Sequence, residues 1–339
     1  MIDLRSDTVT RPTTEMRKVM ADAEVGDDVF REDPTVNKFQ ARMAEQFGME
    51  AGLFVPSGTM GNQLALNLLT QPGDEVIIDR LGHIFNYESA AAGLISSIQL
   101  NTLAGDNGIL NASLISGAIR NKNDWDPNTR VIALENSANK GGGACYTREG
   151  LLEIRKLADA RQLYLHMDGA RIWNAATATN QTLDFFGILS DTMSVCFSKG
   201  LGAPVGSMLL GTKDLINRGY RMRKMLGGGM RQIGILAAAA EYAFDNHYHL
   251  LAEDHRRAKK FAEAVAELDS FEIDTDTVET NIVLFDVKEG AAEPVLAELA
   301  GHGVAMVPFG PNTIRATFHF EVGNSELEEV IKVFRNRFK

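Results

Sequence analysis

Groups that would suit the chain to an oxidising, membrane or nucleic-acid setting are scarce. Its 339 residues hold two cysteines, Cys145 and Cys196. That is too few for a disulfide framework, and Cys196 lies in an apolar strand pattern where a buried thiol is the default. No uncharged apolar run approaches membrane-spanning length, and the opening MIDLRSDTVTR lacks the apolar core of a secretion signal. Cations are in deficit: 34 Lys and Arg against 45 Asp and Glu leave a net charge of −11, which argues against nucleic acid unless the basic residues cluster. The nearest cluster, Arg221–Lys224, is short and reads as a solvated face. There is no repeat, no low-complexity tract and no GxGxxG after a strand. No strong metal-ligand spacing occurs, since His247, His249 and His255 stand at a helix start, where such residues are usually solvated. The expectation is a cytoplasmic globular protein with no metal, membrane or nucleic acid as partner.

What is present centres on the stretch from His166 to Gly202. An apolar run, Leu163–Met167, ends in Asp168 and turns through Gly169 into a helix, so the carboxylate falls at the C-terminal edge of a buried strand. A second run, Met193–Phe197, ends at Ser198–Lys199. If both strands join one parallel sheet, Asp168 and Lys199 converge on the edge where open α/β sheets bind ligands. Lysine can form a Schiff base with an aldehyde cofactor, and a carboxylate can keep a pyridine nitrogen protonated; together they suit pyridoxal phosphate. Taken singly, an Asp at a strand end such as Asp168 is more often a helix cap or ion-pair partner, and a lysine such as Lys199 is usually a solvated surface group. Ser198, Gly200, Gly202 and Ala203 tip the balance, because such small neighbours let a flat ring approach the backbone.

Around this centre the chain alternates helix and strand. Strand Ala51–Val55, the turn Pro56–Thr59 and helix Met60–Leu69 form an anion site at Ser57, Gly58 and Thr59, or else an ordinary helix cap. A helix end contributes only about 0.3–1 kcal/mol to an anion, rising to ~2 when sheltered, so a phosphate should also need a cationic side chain. Arg231, after the run Gly227–Gly229, is the candidate, with a solvated loop arginine as the alternative. His83, following strand Glu75–Asp79, can stack on a planar cofactor or be simply a half-buried polar group. Further expected elements are a strand Ser96–Leu100, a helix near Ala112–Asn121, strand Arg130–Glu135, a Thr147-capped helix to about Gln162 and a short strand Val205–Leu210. From about residue 249 the order becomes helix, strand, strand, helix, strand, helix, the last opening with Ser325 and Glu328 as a capping box. Two domains are expected, 1–248 with an N-terminal arm over 1–34, and a small α+β unit over 249–339.

The segments IDLRSDTVTRPT, EVGDDVFREDPTVN, FVPSGTMGN, HMDGARIWNA, SKGLGAPVGS and LGGGMRQ form an ordered series along nearly the whole chain. The series resembles the low-specificity L-threonine aldolases, of the aromatic β-eliminating lyase and threonine aldolase group. The resemblance implies the α/β fold of fold-type-I pyridoxal-phosphate enzymes, with a mostly parallel central sheet in which the strand near Val205–Leu210 runs antiparallel. It implies retro-aldol cleavage of L-threonine, L-allo-threonine and related β-hydroxy-α-amino acids to glycine and an aldehyde. Lys199 would hold the cofactor, Asp168 meet its ring nitrogen and His83 cover its face. Ser6, Arg171 and Arg315 would orient the substrate carboxylate, with Tyr87 near the substrate side chain. Arg231 would reach a neighbouring subunit's site, making the protein a homo-oligomer, expected to be a tetramer. Two positions depart from the family: Ala138 stands where many members carry histidine, and Phe30 where tyrosine is frequent. The departures leave the general base and the threo/erythro preference open, with His83 or an activated water as base. The rivals are β-elimination or transamination with the same cofactor, and an amino-acid-binding homologue without turnover.

Overall fold

Five of the apolar runs that alternate with helices pair in parallel, and each is bounded by a helix that covers the sheet. Residues 1–338 are described by this computed structural model. The strands are β1 (Ile2–Asp3), β2 (Ala51–Val55), β3 (Asp74–Asp79), β4 (Gln99–Leu103), β5 (Asn128–Glu135), β6 (Tyr164–Gly169), β7 (Thr192–Cys196), β8 (Ser207–Gly211), β9 (Phe271–Glu272), β10 (Ile282–Val287), β11 (Val304–Ala305), β12 (Val307–Pro308) and β13 (Thr313–Thr317). Seven of them form one sheet in the order β2-β8-β7-β6-β5-β3-β4. All pairs in it are parallel except those of β8, which runs antiparallel to β2 and β7. β3, β7 and β8 are buried along their whole length, as expected of strands covered on both faces.

A four-stranded antiparallel sheet, β12-β13-β10-β9, belongs to the C-terminal part, and β1 of the arm pairs in parallel with β11. Each sheet has its own core. Phe39, Phe47, Trp173, Phe186 and Phe197 centre the first, whereas Phe261, Phe271, Phe285, Phe318 and Phe334 centre the second, joined there by Leu4 of the arm.

Several local expectations are corrected. Residues Ala91–Ser96 are a short helix and β4 begins only at Gln99: Ser97 takes a left-handed conformation (φ 54°) that ends the helix before the strand pairs with β3. The last helix, Asn324–Arg337, is capped by Gly323, two residues before Ser325. Ser325 therefore bonds Glu326 while Glu328 reaches Lys260, and no capping box forms. In the Arg221–Lys224 patch Arg221 and Lys224 are exposed as expected, but Arg223 is not. The patch lies on the helix Lys213–Met225, and Arg223 turns inward to donate to Asp28 (2.5 Å) and the Phe54 carbonyl (2.7 Å). Nor are the nearby histidines all solvated: His247 bonds the Leu201 carbonyl and His255 bonds Asn174, with burial pushing His255 down to about 4. The Thr147 cap does form, its hydroxyl accepting from the Gly150 amide, on a helix that runs Arg148–Arg161.

Candidate active site

Three neighbouring strand ends bring the polar groups together. In the sheet register Glu135 of β5 stands opposite Asp168 of β6, which in turn stands opposite Ser194 of β7. Asp168 is nearly fully buried; its carboxylate accepts from the side-chain amide of Asn62 (2.8 Å) and from the Ala170 amide (3.1 Å). Lys199 lies in the turn after β7, its Nζ 3.7 Å from Cys196 Sγ. The same sulfur meets Gly58, where an added Cβ would lie only 2.7 Å from Sγ. The start of the helix Gly58–Leu69 and the lysine thus share contact with one thiol, and a side chain at Gly58 would crowd it. Ser57 caps this helix through the Met60 amide, which leaves the amides of Gly58 and Thr59 at its open end.

Above the sheet edge lies a cavity of about 350 Å³ lined by Ser6, His83, Tyr87, Asn139, Arg171, Lys199 and Arg315 among others. The arm, the large sheet and the small sheet all contribute, so residues from position 6 to position 315 meet there. Arg171 is held by a buried two-bond pair with Asp7, at 2.8 and 2.7 Å. Burial opposes the Asp7 charge, but Arg171 and then Lys199 outweigh it and hold the carboxyl below its usual range. Among the described residues Arg315 has no such partner. It donates to the Asn139 side chain and to the Arg5 carbonyl, its Nε is buried without an acceptor, and burial together with the nearby Arg171 pushes it down to about 10. It stays charged at neutral pH, so this end of the cavity is electrostatically prepared for an anion.

His83 Nδ1 lies 2.9 Å from Glu88 Oε1, and its backbone amide donates to Glu135 (2.6 Å). Burial works to lower the imidazole pKa, but the Glu88 hydrogen bond and the charges of Asp168, Glu88 and Glu135 prevail and raise it. Tyr87 packs beside it, with ring centres 5.5 Å apart. Glu135, which also accepts the Asn139 amide, is pushed up to about 7 by desolvation and the neighbouring Asp168. Behind Asp168, His166 Nε2 meets Asn62 Oδ1 (3.1 Å) while its Nδ1 faces the Thr192 hydroxyl (2.9 Å); burial pushes this ring down to about 4, so it is neutral. With Nε2 as donor, it orients the Asn62 amide toward the carboxylates.

The cavity gathers Ser6, His83, Tyr87, Arg171, Lys199 and Arg315; Gly58, between Ser57 and Thr59, meets Cys196, the sulfur that Lys199 also contacts, and Asp168 lines a smaller pocket that shares His83 with the cavity. Arg231 is the exception. It is half exposed and pairs with Asp27 (2.8 Å), away from the cavity lining of its own chain. Ala138 is buried, its Cβ turned toward Gly108 and Gly141. Asp7, Asn62, Glu88, Glu135 and Asn139 were not marked as functional by the sequence. Four of them are single polar residues in loops or on an inward helix face, which carry no periodic signal, whereas Glu135 ends β5 after an apolar run and bore the same mark as Asp168.

These residues fit pyridoxal phosphate: a lysine for an aldehyde, a carboxylate for a ring nitrogen, a close approach at Gly58 and an open helix end for a phosphate. A family model described as beta-eliminating lyase matches residues 3–289. The chain is 39% identical over 336 residues to the low specificity L-threonine aldolase of Escherichia coli strain K12, covering 99% of this chain and 98% of that protein. It is 37% identical over 341 residues to the low-specificity L-threonine aldolase 1 of Arabidopsis thaliana, covering 98% and 95%. Among solved structures the threonine aldolase of Leishmania major matches with a TM-score of 0.86 at 21% identity, covering 99% of both chains.

Proposed function

The chain belongs to the beta-eliminating lyase family, and from that premise we propose that it is a low-specificity L-threonine aldolase, cleaving L-threonine, L-allo-threonine and related β-hydroxy-α-amino acids to glycine and an aldehyde. The observation that carries this reading is the convergence of Lys199 and His83 with two arginines, one lacking a carboxylate partner, on a single cavity. Pyridoxal phosphate, when bound, supplies an electrophilic carbon for the substrate amine and a ring that takes up the electron pair of the breaking Cα–Cβ bond.

This chain's own residues do the rest. Lys199 would hold the cofactor and yield it to the substrate amine. Asp168, fixed by Asn62 and the Ala170 amide, would face the ring nitrogen. Ser57, Gly58 and Thr59 would receive the phosphate. Arg171, locked by Asp7, and Arg315, seated by Asn139, would grip the substrate carboxylate, with Ser6 beside them. His83 would accept the β-hydroxyl proton on Nε2, and Tyr87 would border the side chain of the substrate.

A homo-oligomer, expected as a tetramer, is part of the reading. Exposed Phe30, Leu94 and Met225, and an open apolar groove that includes Leu68, Ile95 and Met222, support a partner on that face. A second copy would bring Arg231 to its neighbour's site; light scattering that returns a monomer would end that role. No helix among the described residues is long and apolar enough to cross a membrane, in keeping with the cytoplasmic setting we infer. The two cores support a division near residue 248 into a large and a small domain.

The test is aldehyde release from L-threonine, L-allo-threonine and L-phenylserine by cofactor-saturated protein. Release that is abolished in Lys199→Ala is expected. The family's description favours β-elimination as the second reading, and ammonia with a keto acid in place of glycine and aldehyde would establish it.

A further inference from the structure

The least accounted-for group near the site is a carboxylate that touches neither cavity nor cofactor position. Glu88 follows the short helix His83–Asn86, and its side chain is fully buried. Its two oxygens accept from Asn62 Nδ2 (2.8 Å), Gln63 Nε2 (2.6 Å) and His83 Nδ1 (2.9 Å). Among the described residues, His83 is the only ionisable donor it meets. A carboxylate kept only for packing would be served by the two amides of the helix Gly58–Leu69. Here it also engages an imidazole that is a third exposed and lies on a different segment.

We propose that Glu88 is the positioning residue of His83, holding the ring proton on Nδ1 and leaving Nε2 as the nitrogen open to the substrate cavity. The logic is that of any base whose second nitrogen is bound by a carboxylate: the bond selects the tautomer, fixes the ring plane and stabilises the imidazolium formed when Nε2 takes a proton. Asn62 extends the device. Its single NH₂ group donates to Glu88 and to Asp168 at 2.8 Å each, so one amide sets the carboxylate behind the imidazole relative to that of Asp168. His83, Glu88 and Asp168 lie close enough for one nitrogen and two oxygens to fall within 4.8 Å of one another. The other groups facing His83 are Glu135 from β5 and the Tyr87 ring. Glu135 bonds only the backbone of residue 83, which leaves Glu88 alone in contact with the imidazole proton.

The inference rests on His83 acting as base, and its test separates the two claims. Full-length protein carrying ¹³Cε1-histidine, with and without cofactor, is titrated by NMR; the His83 signal, one of seven, is assigned by its loss in His83→Asn. Glu88→Gln should lower the His83 midpoint by about one pH unit or more, the range expected when an opposite charge in contact is removed, and leave the other six in place. Glu88→Asp keeps the charge but draws it back by one methylene, and should fall between the two; it also serves if Glu88→Gln does not fold. An unmoved midpoint overturns the proposal. In turnover, Glu88→Gln should shift the acid limb of the kcat/KM profile in wild type and cost nothing further in a His83→Phe background. An equal loss in both backgrounds would mean that Glu88 acts elsewhere and would also overturn it. Unchanged turnover in His83→Phe alone would remove His83 as base, and the titration would then decide by itself whether Glu88 governs the ring.

Discussion

Arg171 and Arg315 face one cavity but differ in what balances them. Arg171 is neutralised within the chain by Asp7, and both are nearly fully buried, whereas Arg315 is left to neutral acceptors. The first pair is therefore structural as well as functional: it fastens the arm to the helix Ile172–Thr179 and sets the arginine before any anion arrives. Removing one member of a buried pair leaves an uncompensated charge and costs on the order of 3–5 kcal/mol. Asp7→Asn, which keeps the shape and loses the charge, should lower the urea midpoint of unfolding accordingly. A midpoint within error of wild type would show that Arg171 does not depend on Asp7. Arg315→Ala leaves no buried carboxylate behind, so its effect should fall on the KM for amino acid far more than on stability.

At the scale of elements, the spacing between the helix Gly58–Leu69 and the sheet governs how near the anion site comes to Lys199. Gly61 sets it: a Cβ there would lie 2.3 Å from Ser194 Oγ on fully buried β7. Gly61→Ala must turn the Ser194 hydroxyl off the Gly58 carbonyl or move the helix outward, and should cost about 1–3 kcal/mol as overpacking, with weaker cofactor retention. Gly117 gives the contrast. It is exposed on the helix Ala112–Ala118 with nothing within 4 Å of its missing Cβ, so Gly117→Ala should raise stability by roughly 0.5–1 kcal/mol through helix propensity alone. Thermal unfolding of the two variants checks both signs. The same contrast explains what was legible beforehand. Strand ends with a charged residue after an apolar run mark themselves, so Asp168 and Lys199 could be read directly, and Thr147 announces its helix by cap chemistry. Asp7 is separated from Arg171 by 164 positions and Glu88 from Asn62 by 26. Neither pairing leaves a periodic trace, and both exist only because the sheet order brings the segments together. The Ser325–Glu328 box failed for a local reason: Gly323 could start the helix first, so the hydroxyl fell two positions past the cap.

At the scale of the whole molecule, four buried groups set opposing dependences on pH. Burial pushes His166 and His255 from 6.5 down to about 4, and desolvation raises Glu135 and Asp254 from 4.5 and 3.8 to about 7. As pH falls below 6.5 the unfolded chain binds protons on both histidines and the folded chain does not, so their share of stability is lost toward acid. For the carboxylates the sign reverses: the folded chain keeps both protons up to about 7 while the unfolded chain releases them from about 4, so their share is lost toward base. Between about 4.5 and 6.5 two protons are set against two, and these four groups together give almost no slope. Asp254→Asn removes one carboxylate from the balance. Its stability should rise with pH across that window relative to wild type, by the slope of one proton, and the difference between the two urea-denaturation series cancels every group they share. Curves that stay parallel from about pH 4.5 to 6.5 would mean that Asp254, paired with Arg257 at 3.1 Å, is already ionised in the folded chain. The opposing slopes would then have to be sought at Glu135, which holds the backbone amide of His83.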